Sequence, residues 1–271
     1  THLQQQGSLF MLTFPDFNPY IFKLGPIHPT WYGLMYVIGF GCAYLLGVQR
    51  TKSNPAWNKE EVSDLMTYLM LGVVLGGRIG YVLFYGMGYW AQDLLYPFKI
   101  WEGGMSFHGG LLGVMFALWL FGRKKGKPFW DVTDYVAPMI PPGLFFGRIG
   151  NFINGELWGR PTDVPWGMVF PGTHDGIPRH PSQLYEAGLE GIALFVIIWF
   201  YSARPRRSGQ VSGMFLVLYG VFRSLVEMVR QPDGHIDFII GRITMGQALS
   251  LPMIVLGLWL LFRRGPRANL S

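Results

Sequence analysis

The stretch GRIGNFINGELWGR at residues 147–160 places Arg148, Asn151, Asn154, Glu156 and Arg160 in a chain that is otherwise strongly apolar. A planar guanidinium can hold two phosphate oxygens at once, and asparagine amides hydrogen-bond to hydroxyls without adding charge. That combination suits a phosphate ester that also carries hydroxyl groups. Gly147 and Gly150 flank Arg148, where missing side chains let another backbone or a ligand headgroup come close. If a helix continues through this stretch, Arg148, Asn151 and Glu156 present donors and an acceptor toward one side, and Asn154-Gly155 then supplies a turn. A second set, Tyr219, Arg223, Glu227 and Arg230, recurs at spacings of four, four and three, which puts all of them on one helical face. Glu227 cannot balance two arginines alone, so this stripe is expected to keep positive charge for an anion. The plainer alternatives are that Arg223 and Glu227 simply neutralise each other, and that Arg148 snorkels to lipid headgroups.

Three further motifs carry reactive or binding side chains. GGMSFHGG, residues 103–110, sets His108 among glycines; it is either a general base with a pKa near neutrality or a hydrogen-bonded helix-end residue. WYGLMY, residues 31–36, opens an apolar segment and reads equally as aromatic-belt anchoring. RHPSQLYE, residues 179–186, puts Arg179, His180 and Glu186 where the chain returns to apolar sequence.

The elements that must position these groups are membrane-spanning helices. The 271 residues are 50% hydrophobic, 16% aromatic and 14% charged, with a mean hydropathy of +0.27, more apolar than a solvated surface permits. Apolar stretches near bilayer length fall at 31–49, 64–86, 107–122, 131–150, 187–202, 211–230 and 243–262. The third and fifth are short, and their ends are expected to extend further. The fourth contains Pro138, Pro141 and Pro142 and starts with Asp131 and Asp134, so a kinked, protein-facing helix is expected. The fold class is therefore an all-α integral membrane protein with seven transmembrane helices. Residues 151–186 are too long for a simple connection and read as a small external cap between helices four and five. Residues 1–10 read as a vector-derived remnant, and 11–271 as a single transmembrane domain including that cap. No cleavable signal is expected, because no basic stretch precedes the first long apolar segment.

Charge sets the orientation. Arg50, Lys52 and Lys59, then Arg123, Lys124, Lys125 and Lys127, then Arg204, Arg206 and Arg207, and finally Arg263, Arg264 and Arg267 form four basic connections. These alternate with connections holding only Lys23, Lys99, Arg160, Arg179 and Arg242. Because Lys and Arg flanking spans favour the cytoplasmic side, the N-terminus is expected outside and the C-terminus in the cytoplasm. The basic clusters serve topology and anionic membrane lipids, and no nucleic-acid role is expected. Net charge is +6. The single cysteine, Cys42, lies in mid-span and excludes internal disulfides and multi-cysteine metal sites. The histidines show no close ligand pair, and neither a Walker loop nor a dinucleotide fingerprint occurs, so no metal and no cofactor are expected. GRIG occurs at 77–80 and again at 147–150, which a parallel duplication of spans one–two and three–four would explain.

Taken together, WYGLMY, GGMSFHGG, GRIGNFINGELWGR, RHPSQLYE and YGVFRSLVEMVRQPD resemble the bacterial prolipoprotein diacylglyceryl transferases, over nearly the whole chain from Met11 onward. The resemblance implies a seven-span inner-membrane enzyme that moves diacylglyceryl from phosphatidylglycerol to the lipobox cysteine of a prolipoprotein signal peptide. A thioether forms and glycerol 1-phosphate leaves. It carries the family's phosphate-binding arginine onto Arg148, followed by Asn151, Glu156 and Gly159, with Asn154 beside them. The second essential arginine falls on Arg223, flanked by Tyr219, Glu227 and Arg230. The histidine of the HGG motif falls on His108, between Gly103 and Gly109; the tyrosine of WYG on Tyr32; and the matches in RHPSQLYE are His180 and Glu186. Arg148, Arg223, His108 and Tyr32 are thereby expected to be catalytic and the others to bind substrate. Relatives often read HWYG where Thr30 precedes Trp31 here, so that histidine is not expected to be required.

The chemistry fits these residue types. A thiol with a pKa of about 8.5 must lose its proton before it attacks the glyceryl carbon bearing the phosphate ester, so a base is needed. Negative charge builds on the departing phosphate, where two guanidiniums stabilise it. The rival reading from another class is a transporter or flippase for an anionic lipid or small anion, in which the arginines bind without catalysing. An intramembrane protease lacks a nucleophile–base pair in this sequence.

Overall fold

Helix fills each apolar stretch of the chain. The computed structural model describes residues 12–24, 28–231 and 244–263. The proposed remnant at 1–10, and Arg242, Arg264 and Arg267, lie outside the described residues. The helices are α1 (Trp31–Arg50), α2 (Lys59–Tyr85), α3 (Met87–Gln92), α4 (Phe107–Lys125), α5 (Phe129–Val136), α6 (Ile140–Ile153), α7 (Ser182–Glu186), α8 (Leu194–Ser202), α9 (Gln210–Glu227) and α10 (Met245–Phe262). A π-helical turn, Ala187–Ala193, joins α7 to α8 without a break. Among the described residues, four helical segments are long and apolar enough to cross a membrane by length and composition: Trp31–Arg50, Lys59–Tyr85, Ser182–Ser202 and Met245–Phe262. The two short stretches extend as expected, from 187 back to Ser182 and from 122 on to Lys125.

The prolines of the fourth stretch act where their missing N–H groups cost least. A 3₁₀ turn at Ala137–Met139 separates α5 from α6, and Pro141 and Pro142 occupy the first turn of α6. The first N–H groups of a helix have no intrahelical acceptor, so proline is tolerated there.

The chain forms two compact units, one from the residues up to Leu45 and from Val136 onward, the other from Leu46–Tyr135. In the second unit α2 packs on α4 through glycines. A Cβ on Gly72 would sit 2.7 Å from the carbonyl oxygen of Gly113, and one on Gly80 would sit 2.7 Å from Gly109 Cα. Small residues of this kind let helix backbones meet where lipid offers no hydrophobic drive. Asn58 and Glu61 form a capping box at the start of α2. Just before it, buried Trp57 stacks on Tyr135 at 3.9 Å, with Lys127 over its face and paired to Glu61 at 3.1 Å.

The first unit is built the same way around α9 and α10, where Gly213 and Gly257 face each other's backbone. Ala137, Leu194, Ile198 and Val211 form its buried apolar core. One departure from an all-α fold appears here: β1 (Leu12–Thr13) pairs in parallel with β2 (Met168–Val169). Two residues per strand give no hydropathy period to read. The pairing is secured by Phe14, whose ring meets Phe152 at 5.3 Å and Phe170 at 5.2 Å. The stretch 154–181, with a single 3₁₀ turn at Pro171–Thr173 among its described residues, is tied by antiparallel bridges of Arg179 to Pro161 and Met168.

The glycine contact is directly testable. Gly113→Leu forces side-chain atoms against the backbone of α2 and should cost at least about 1–3 kcal/mol, read as a lower thermal midpoint of the purified protein in detergent. Gly88, with nothing within 4 Å of a built Cβ, is the control, and Gly88→Ala should leave the midpoint unchanged or slightly raised. Equal midpoints for both variants would refute the packing argument.

Candidate active site

Arg148 and Arg223 come from different helices and meet at the same carboxylates. Arg148 projects from α6, where Gly150 lies against the Tyr32 ring so closely that a Cβ would fall 2.8 Å from Tyr32 Cδ2. Arg223 projects from α9, one turn from Glu227. Between them lie Glu186, ending α7, and Glu190, on the π-helical turn. Arg148 Nε stands 2.5 Å from Glu186 Oε2, and Arg223 Nη1 stands 3.3 Å from the same oxygen. Glu190 spans the pair more loosely, with Oε2 3.7 Å from Arg148 Nη2 and Oε1 3.8 Å from Arg223 Nη1. Glu227 Oε2 closes on Arg223 Nη2 at 2.9 Å.

Glu186 and Glu190 are both 0% exposed. Charges this deeply buried persist only when paired, and removing one partner of such a pair typically costs about 3–5 kcal/mol. The expected i,i+4 pairing of Arg223 with Glu227 is present. The expectation of spare positive charge on the stripe is not met: Glu186 and Glu190, from another element, supply the missing anions. Glu190 was not among the residues singled out from sequence. The signal was there, since YEAGLEG sets two glutamates four residues apart in an apolar segment.

The signature asparagines turn elsewhere. Asn151 Nδ2 donates to Glu156 Oε1 at 2.8 Å and Asn154 Nδ2 reaches the same oxygen at 3.4 Å. Arg148, expected to share a face with Glu156, makes its ion pairs with Glu186 and Glu190 instead. The Asn154-Gly155 turn forms as expected, with Gly155 at φ +63°. Tyr32, Asn154 and Glu156 line a cavity of about 690 Å³ together with Phe17, Tyr20 and Thr30. Tyr32 Oη lies 3.1 Å from Tyr36 Oη.

Gly159, His180 and Arg230 form a backbone junction. Gly159 N donates to the His180 carbonyl at 2.8 Å, and Gly159 bridges Arg230. Arg160 Nε donates to the Arg230 carbonyl at 2.9 Å. Helix α9 ends at Glu227, but Arg230 N still donates to the Val226 carbonyl at 3.0 Å, so the closing turn carries Arg230 on toward Glu190, the side met by Tyr219 and Arg223, while its backbone bridges Gly159. His180 Nδ1 lies 3.2 Å from Tyr185 Oη, which already accepts the Trp166 indole N–H at 2.7 Å. The tyrosine proton is therefore free to point at the imidazole. Burial lowers the His180 pKa, opposed by the Asp163 charge.

His108, Gly103 and Gly109 belong to the other unit. His108 lies in the first turn of α4, exposed, beside an N-cap in which Ser106 Oγ accepts from Gly109 N. Gly109 is committed to the contact with α2, where a Cβ would lie 2.9 Å from Gly80 Cα. Gly103 and Gly104 turn the chain with φ of +79° and +80°. Their carbonyls, with those of Tyr96 and Pro97, accept from Arg78, the arginine of the first GRIG.

Comparison with known proteins places the chain beside a described family. Residues 19–263 match the family model described as prolipoprotein diacylglyceryl transferase. The chain is 59% identical over 263 residues to the phosphatidylglycerol–prolipoprotein diacylglyceryl transferase of Nitratidesulfovibrio vulgaris, covering 96% of this chain and 99% of that protein. It is 57% identical to the enzyme of the same description from Solidesulfovibrio magneticus, over 96% of this chain and 100% of that one. It is 58% identical to the one from Legionella pneumophila, over 92% and 98%. On both the family match and these identities, the chain belongs to the prolipoprotein diacylglyceryl transferase family.

Proposed function

We propose that this enzyme transfers the diacylglyceryl group of phosphatidylglycerol to the lipobox cysteine thiol of prolipoproteins, the first step of lipoprotein maturation. The thiolate sulfur attacks the glyceryl carbon that bears the phosphate ester. A C–S bond forms, the C–O bond to phosphate breaks, and glycerol 1-phosphate departs with its charge held by Arg148 and Arg223. The proton of the thiol ends on the released phosphate, so the exchange is balanced. The observation that carries the reading is the convergence of two arginines from separate helices on shared carboxylates in an apolar chain. Such preorganised cations are worth most where water is scarce.

Around that pair, Tyr32, Asn151, Asn154, Glu156 and Gly159 accommodate the hydroxylated headgroup, with Tyr219, Glu227, Arg230 and His180 completing the binding groups and Glu186 set against the two arginines. His108, with Gly103 and Gly109, serves as donor to the lipid headgroup. The protein crosses the bacterial inner membrane seven times, N-terminus periplasmic and C-terminus cytoplasmic, with residues 151–186 as the external cap. The basic connections at 50–63, 123–130 and 203–210 support that orientation. Cys42, the single cysteine, stands in α1, in keeping with a nucleophile supplied by the substrate.

Incubating the purified enzyme with phosphatidylglycerol and a lipobox peptide should release glycerol phosphate in step with thioether formation. Lipid binding without release would favour a transporter. Arg148→Lys and Arg223→Lys keep the charge but lose the guanidinium fork, and each should lower turnover by about a hundredfold or more; near-normal turnover in either would remove the bidentate argument. For His108→Gln, KM for lipid should rise more than kcat falls. A kcat loss of about 10²–10⁴-fold, together with disappearance of a near-neutral ionisation from the rate profile, would instead make His108 the base.

A further inference from the structure

The carboxylate cluster does more than neutralise the arginines. Glu186 presents one oxygen, Oε2, to Arg148 Nε at 2.5 Å and to Arg223 Nη1 at 3.3 Å. A single anionic oxygen shared by two guanidiniums from different helices is the arrangement that one oxygen of a phosphate would adopt. The contact is Coulombic and poorly aligned: among the described residues, neither oxygen of Glu186 nor Arg223 Nη1 has a hydrogen-bond partner. Phosphate can offer two oxygens to a guanidinium fork and so bind with better geometry.

Glu190 is placed differently. It lies deeper along the same segment, on the π-helical turn, and touches each arginine with a different oxygen at 3.7 and 3.8 Å. Among the described residues neither oxygen has a hydrogen-bond partner, and the side chain is fully buried. The turn is fixed by Gly191, on which a Cβ would fall 2.6 Å from Phe145 Cβ of α6. Single π-turns inside helices recur at functional positions, where they re-aim a side chain. The charged and titratable groups facing Glu190 are Arg148 from α6, Glu186 from its own segment, and Tyr219, Arg223 and Arg230 from α9 and its end.

Charge then decides which carboxylate yields. Arg148 and Arg223 are met by Glu186, Glu190 and Glu227. Adding a phosphodiester with all three in place would set four anions against Arg148, Arg223 and Arg230 in a poorly hydrated site, an excess of negative charge that Coulomb repulsion disfavours. Glu227 has its own contact to Arg223 Nη2, and Glu190 contributes only long contacts from the deeper side. Glu186 is the anion in the way.

We propose that Glu186 is a built-in competitor for the phosphate: the lipid phosphate displaces its carboxylate from the arginine pair, while Glu190 is the positioning residue that keeps both guanidiniums facing the vacated oxygen position. This rests on the reading of the pair as a phosphate clamp. The two residues then have opposite signatures, which no merely structural role produces. Calorimetric titration of the detergent-purified enzyme with glycerol 1-phosphate should show Glu186→Gln binding about fivefold or more tighter than the parent and Glu190→Gln about fivefold or more weaker. Glu186→Asp, whose shortened carboxylate cannot reach both arginines, should tighten binding in the same direction and serves if the glutamine variant does not fold. Weaker binding by folded Glu186 variants, or unchanged binding by Glu190→Gln, would overturn the proposal. Arg148→Lys in the same titration separates the two levels. Undiminished affinity there would sink the phosphate clamp itself, whereas lost affinity there with weakened Glu186 variants would sink the exchange alone.

Discussion

Burying two guanidiniums among apolar helices is the constraint on which the rest of this molecule turns. A charged side chain within a span costs several kcal/mol even by lenient scales, and that cost is recovered only by opposite charge delivered with good geometry. Neither α6 nor α9 can supply enough of it. α6 carries no carboxylate, and Glu227 on α9 pairs with Arg223 on its own helix. The segment beginning at Ser182 must therefore lie between them and turn Glu186 and Glu190 inward. Its apolar remainder, Leu194 and Ile198, packs against Ala137 and Val211 on the elements it joins. Electrostatic demand and apolar burial thus fix the same three-element arrangement.

Close approach follows from that demand. Ion pairs of 2.5 to 3.8 Å require neighbouring backbones nearer than large side chains allow, and the glycines sit at those contacts. Gly150 admits the Tyr32 ring beside Arg148, Gly191 admits Phe145 beside Glu190, and Gly246 leaves room for the Glu227 carboxylate, which a Cβ would meet at 2.5 Å. These residues fix the backbones that carry the cluster, so the two guanidiniums stay close together while the carboxylates against them can turn aside, an arrangement preorganised for developing phosphate charge.

Much of this was legible in the sequence, and the limits have physical causes. The helices, the proline break and the Asn154-Gly155 turn are local, set by hydropathy and by backbone chemistry within a few residues. The pairing of Arg223 with Glu227 is also local. What pairs with Arg148 is not: Glu186 is 38 positions away and its partnership depends on how helices pack. Charge counted along one helix therefore suggested a surplus that the fold removes. The backbone bridge of Arg230 to Gly159 is tertiary in the same way and has no local signal. The π-turn and the two-residue β1–β2 pairing carry no periodic signal that a window could detect.

The repeated GRIG shows why a motif alone could not separate a structural arginine from a functional one. Arg78 and Arg148 have the same neighbours in sequence and are both withdrawn from solvent. Arg78 spends its Nε and both Nη groups on the carbonyls of Tyr96, Pro97, Gly103 and Gly104, and it lies over the Tyr96 ring at 4.7 Å. Those acceptors belong to backbone that is fixed by its own turns, so four of its five N–H donors are already committed to neutral acceptors. Arg148 meets carboxylates at the ends of side chains, which rotamer changes can withdraw. Neutral, immobile acceptors make an arginine a brace; charged, movable ones make it a clamp whose anion can be exchanged. That difference lies in the partners, and the partners are assigned by the fold.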